Sequence, residues 1–123
     1  MDIAERLVDG VAILDLKGRL ILGDGEKTFR DEIDGLIAGG QKTFLVNLNE
    51  VDYLDSAGVG AIVWKYVTLR RQGGSLKLLH LRARTHKVLS VTKLLTVLET
   101  FESEAEALSS FKKDNVRSST QSA

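Results

Sequence analysis

The hydrophobic period changes twice between Lys42 and Leu81, and that change constrains the fold more than any other feature of the sequence. "KTFLVNLN" (42–49) is a continuous apolar run of strand length, the pattern of a buried parallel strand. "DYLDSAGVG" (52–60) follows, and then "GVGAIVWKYVTLRRQGG" (58–74), helical by its length, with Val59, Ile62, Val63 and Tyr66 on one side and Gly73-Gly74 as a stop. "SLKLLHL" (75–81) returns to a strand pattern. Strand, helix, strand in that order is a βαβ unit, whose two strands lie parallel in one sheet.

The alternation continues on both sides. "VAILDLKG" (11–18) alternates as a strand, and Asp9-Gly10 offers a turn pairing it with the shorter stretch Ile3 to Val8. In "GDGEKTFRDEIDGLIAGG", Phe29, Ile33, Leu36 and Ile37 fall at helical spacing, with Asp24 placed to cap the start and Gly39-Gly40 to end it. Thr85 is placed to cap a helix from His86 to about Lys93, "TVLETF" (96–101) reads as a last short strand, and Ser103 with Glu106 forms a capping box opening a final helix. The expected order is β-β-α-β-α-β-α-β-α, an α/β fold with a mostly parallel, mixed five-stranded sheet and four helices. Residues 1–112 are expected to form one domain. "DNVRSSTQSA" has little to bury, so residues 113–123 are expected to be a disordered C-terminal tail.

Composition removes several function classes. Lys+Arg and Asp+Glu both number 17, so no net field draws the chain to nucleic acid or to an anionic membrane, and no direct nucleic-acid binding is expected. The absence of cysteine removes disulfides, thiol chemistry and the commonest zinc ligand. No apolar run approaches the roughly 20 residues of a membrane span, and "MDIAERLVDG" lacks the apolar core of a signal peptide. Membrane insertion is not expected, and a cytoplasmic location is.

Catalytic motifs fare poorly. Gly18 to Gly23 has the first spacing of a phosphate-binding P-loop, but Asp24 stands where the loop needs lysine and would repel phosphate. Gly23-Asp24-Gly25 and Gly58-Val59-Gly60 each lack the third glycine of a dinucleotide fingerprint. Ser56 lies at a strand-to-helix turn as a hydrolase nucleophile would, but position 54 is leucine where a nucleophile elbow needs glycine. His80 and His86 occupy a strand end and a first helical turn, and read as surface or internally satisfied side chains. No metal-ligand spacing appears. No catalytic residue, nucleotide, metal or other cofactor is expected.

That leaves the turn itself. Asp55 or Ser56 as a helix cap is worth about 1 kcal/mol over alanine. A cap does not explain Gly58 and Gly60, because glycine in a first helical turn costs about 1 kcal/mol. Two of them suggest that a facing helix or a partner protein comes close.

"TFLVNLNEVDYLDSAGVGAIVWKY" resembles the central region of STAS domains, found in sulfate transporters and anti-sigma-factor antagonists. The resemblance runs from about Asp2 to Lys112, with the D-S-x-G-x-G turn and its preceding strand the most specific part. It implies that Ser56 is a phosphorylation site. It implies a partner that is an anti-sigma factor with serine-kinase activity, bound when Ser56 is unphosphorylated and lost on phosphorylation. The chain would then be the substrate of an enzyme, not an enzyme. Two positions depart from the family pattern: Ala57 replaces a frequent second serine, and Ile21 stands where the antagonists usually carry aspartate, leaving Asp24 as the nearest carboxylate. The resemblance also allows a non-phosphorylated scaffold or transporter-associated STAS subunit, and a small ligand-binding module. Together these readings make Asp24, Asp55, Ala57, Gly58, Gly60 and Trp64 the expected partner-binding residues. Trp64 lies on one helical stripe with Ser56 and Gly60 at i, i+4, i+8.

Overall fold

In the computed structural model, which describes the backbone of residues 1–122 and the side chains of residues 1–115, the elements follow the expected order. They are β1 (Asp2–Val8), β2 (Val11–Leu20), α1 (Asp24–Ala38), β3 (Thr43–Leu54), α2 (Ser56–Arg71), β4 (Ser75–Leu79), α3 (Ala83–Val91), β5 (Thr100–Phe101) and α4 (Glu104–Ser122), with a 3₁₀ turn at Leu94–Thr96 before β5. The five strands pair in sequence order. β1 is antiparallel to β2, and the remaining neighbours are parallel. Because the strand order never reverses, right-handed crossovers bring α1, α2 and α3 to one face.

The two faces carry separate cores. Leu14, Leu16, Phe44, Val46 and Leu78 of the sheet pack with Phe29 and Ile33 of α1, Ile62 and Leu69 of α2, and Leu89 of α3. On the opposite face Val11, Ile13, Leu45 and Leu79 meet Ala107 and Phe111 of α4. Strand residues of opposite parity supply the two cores, as a pleat buried on both faces requires. α4 is fastened by charge as well. At its start Arg6 bridges Asp15 and Glu104, each at 2.7 Å. Near its fourth turn Asp114 takes the ammonium of Lys77 at 2.7 Å.

Several boundaries differ from those expected. β2 and β3 run past Gly18 and Asn49 because they continue to pair beyond a register shift, ending at Leu20 opposite Leu54. The N-cap of α1 is Gly23, and the Asp24 side chain makes no capping bond. α3 begins at Ala83, and the Thr85 hydroxyl donates to the Arg82 carbonyl from inside the first turn. Only Thr100 and Phe101 of "TVLETF" pair with β4, since Leu94–Thr96 coils into the 3₁₀ turn. The Ser103 cap holds, accepting from the Glu106 backbone N–H at 3.3 Å. The expected tail is corrected at its start, because α4 continues past Lys112 and Asp114 is tied to the sheet. The rest of that tail, 116–123, lies outside the residues whose side chains are described.

Candidate functional site

Two helix N-termini converge at the carbonyl end of β2. A Cβ on Gly25, in the first turn of α1, would collide with the Arg19 carbonyl oxygen, and one on Gly58, in the first turn of α2, with that of Leu20. Each glycine lets a helix start directly against the strand backbone. Asp55 ties the two loops together. Its Oδ1 accepts the Gly58 backbone N–H at 2.9 Å, capping α2, and its Oδ2 accepts the Leu22 N–H at 2.9 Å from the loop before α1. These bonds, Leu22 first and Gly58 second, hold the Asp55 carboxyl below the ordinary aspartate value.

Ser56 is therefore the first residue of α2, exposed and next to a fixed cap. Along the same stripe Gly60 is exposed with open space beside it, and Trp64 is 63% exposed. Val59 and Ile62 are buried and Val63 and Tyr66 partly so, as their spacing predicts. Beside the turn, Leu22 is 74% exposed. Asp24, the first residue of α1, is exposed two residues further on, after the loop that the Leu22–Asp55 bond ties to the turn before α2.

This divides the expected partner-binding residues. Ser56, Gly60, Trp64 and Asp24 are on the surface, and Ala57 is half-buried. Gly58 is buried against Leu20, so its role is internal packing, which corrects the expectation that it meets a partner. Asp55 commits both carboxylate oxygens within the chain. Leu22 was missed, and its only signal is an apolar side chain in a glycine-flanked loop. Lys65 was also missed. It faces inward from α2 and reaches Asp34 of α1, its alkyl stem lying along the core. Among the described residues no three His, Asp or Glu side chains gather as a metal site, and no helix is long and apolar enough to cross a membrane.

The family model of the STAS domain matches residues 3–107. The chain belongs to the STAS family. This STAS domain is 26% identical over 100 residues to the anti-sigma F factor antagonist of Paenibacillus polymyxa, a match covering 80% of this chain and 85% of that protein. It is 36% identical over 52 residues to the anti-sigma-B factor antagonist of Bacillus subtilis, covering 42% of this chain and 48% of that one. Its fold matches the anti-sigma factor antagonist SpoIIAA in its unphosphorylated form with a TM-score of 0.78 at 22% identity, over 91% of this chain and 97% of that chain. The five-stranded sheet and its four helices are thus the STAS architecture, with Ser56 at the turn entering α2.

Proposed function

We propose that this STAS domain is an anti-sigma-factor antagonist whose contact with an anti-sigma factor is switched by phosphorylation of Ser56. The observation that carries the reading is the placement of Ser56. It is an exposed hydroxyl at the first position of a helix whose cap is already supplied by Asp55. The serine is not needed for the fold and is free for chemistry. A phosphate there adds about −1.5 to −2 charge at pH 7 and faces the free N–H groups and positive end of α2, so the fold tolerates it. A partner seated over Leu22, Ser56, Gly60 and Trp64 does not. A dianion trapped at such an interface without a cation costs several kcal/mol, enough to abolish binding through a contact of about 800 Å² per side. The partner supplies the kinase activity and the nucleotide, and the chain contributes the acceptor and the docking face.

Mixing the protein with a kinase-type anti-sigma factor and ATP tests this. The wild type should gain one phosphate and Ser56→Ala none, while Ser56→Ala binds in the presence of ATP and Ser56→Asp binds weakly with its fold intact. A phosphate mapped to another residue, or full-strength binding by Ser56→Asp, would leave the switch reading without support.

A further inference from the structure

Three side chains at the carbonyl end of the sheet have no part in the switch. Tyr53, near the end of β3, is 49% exposed. The Arg19 guanidinium of β2 lies 5.7 Å from its ring centroid, and that of Arg84, in the first turn of α3, lies 4.8 Å away. The neighbouring acids are already engaged. Asp52 holds Arg82 at 2.8 Å, and Asp55 is bound to the Leu22 and Gly58 N–H groups. Among the described residues no carboxylate comes within ion-pair distance of Arg19 or Arg84. Two guanidiniums are thus ordered against an aromatic ring with their hydrogen-bonding capacity unspent on any acid of the chain. Tyr53 also lines two recesses. One, of about 290 Å³, includes Arg19, Ile21 and Asp55, and the other, of about 400 Å³, includes Asp52, Arg82 and Arg84. The ring is the ridge between them.

We propose that Arg19, Tyr53 and Arg84 dock an acidic segment of a partner protein. The inference requires neither phosphorylation of Ser56 nor the identity of the antagonist's target. Arginine presents a planar fork that matches a carboxylate bidentately, and the cation–π contact with Tyr53 restrains both guanidiniums in advance, so less freedom is lost on binding. Both recesses open to solvent, so a compact small molecule would stay half hydrated in either one. An extended chain crossing the ridge fills both, one carboxylate on each side and an apolar side chain on the ring. Arg19, Arg82 and Arg84 around the exposed ring outnumber Asp52 and Asp55, whose charges are held by Arg82 and by backbone N–H groups, so the surface selects acidic sequences over basic ones and speeds their encounter.

The test titrates the isotope-labelled full chain with a short peptide of alternating aspartate and leucine, watched by NMR. The Nε–H resonances of Arg19 and Arg84 and the backbone N–H of Tyr53 should shift together, with weaker binding at higher salt. Arg19→Gln or Arg84→Gln should weaken binding about tenfold, the weight of one charge-assisted pair. Tyr53→Leu, which keeps an apolar ridge but removes the cation–π contact, should weaken it as well, with an unchanged melting temperature in all three variants. Ser56→Ala should bind the peptide like wild type, and this separates the patch from the switch. Equal shifts with the asparagine counterpart of the peptide would overturn the proposal. Shifts spread over lysines elsewhere would do the same, as would inorganic phosphate reproducing the effect, which would mark a free-anion site instead.

Discussion

Lys77 and Asp114 form an ion pair, 2.7 Å long, that crosses from the middle of β4 to the fourth turn of α4. Lys77 is only 2% exposed, and its ammonium also donates to Ser110 Oγ at 2.8 Å and lies 4.5 Å from the Phe111 ring centroid. A buried cation is tolerated only where such partners replace its water. Asp114→Ala should therefore destabilise the protein by about 1–3 kcal/mol, the lower end reflecting how much solvent reaches the carboxylate. Adding Lys77→Met should recover part of the loss, because it removes a buried ammonium left with only Ser110 Oγ and the more distant Glu99 carboxylate, at 3.6 Å. Urea unfolding of the two variants measures this, and additive losses would show that the pair does not couple.

Removal of residues 114–123 follows the same logic. The composition of this stretch predicts a silent deletion, whereas the Lys77 contact predicts a lower melting temperature than that of a chain ending at Asn115. Differential scanning fluorimetry of the two truncations decides it, and equal melting temperatures would show that Asp114 is dispensable.

Acid should loosen the carbonyl end of the sheet. The Asp55 carboxyl titrates below its ordinary value because the Leu22 and Gly58 N–H groups bind its charged form. Its contribution is complete above the unfolded aspartate value of about 3.9 and is lost as pH falls through the lower folded value. Asp55→Ala, lacking cap and loop tie, should cost about 1–2 kcal/mol at neutral pH. The gap from wild type should narrow in acid. Denaturation at pH 7 and below pH ~3.5 tests both statements, and a gap that widened in acid would contradict the sign.

Gly58 and Gly60 sit two residues apart and should respond oppositely. Gly58→Ala drives a methyl group into the Leu20 carbonyl and the Leu54 side chain, and backbone cannot yield cheaply. A loss of about 2–4 kcal/mol is expected. Gly60→Ala enters open space on an exposed helical face and should stabilise by up to about 1 kcal/mol. Melting temperatures of the two proteins check this directly.

Trp64 separates binding from folding. Its indole is 63% exposed, so Trp64→Ala should shift stability by less than about 1 kcal/mol. On the proposed interface it should weaken partner binding by at least about 2 kcal/mol. Gly60→Leu should obstruct the same face without unfolding the helix. Calorimetry with the anti-sigma partner distinguishes the outcomes, and undiminished affinity in both variants would move the interface elsewhere.

What the sequence determined by itself was periodicity and local chemistry. The alternation of apolar runs at strand and helix spacing specified the element order and parallel pairing. The Asp55-Ser56 pair at a strand-to-helix turn marked the cap and the exposed hydroxyl, because capping is settled within three residues of chain. The tertiary structure decided whatever depends on what stands opposite. Gly58 and Gly60 are indistinguishable in the sequence, and only the Leu20 carbonyl assigns one to packing and leaves the other on the surface. Nothing local marks Lys65 and Lys77 as buried, and their partners Asp34 and Asp114 are distant in the chain. Arg19, Tyr53 and Arg84 come from three elements and share one surface only because β2 and β3 end, and α3 begins, at the carbonyl end of the sheet. Local backbone preference is written into neighbouring residues, but burial and pairing are relations between distant ones, and the folded chain alone brings those into contact.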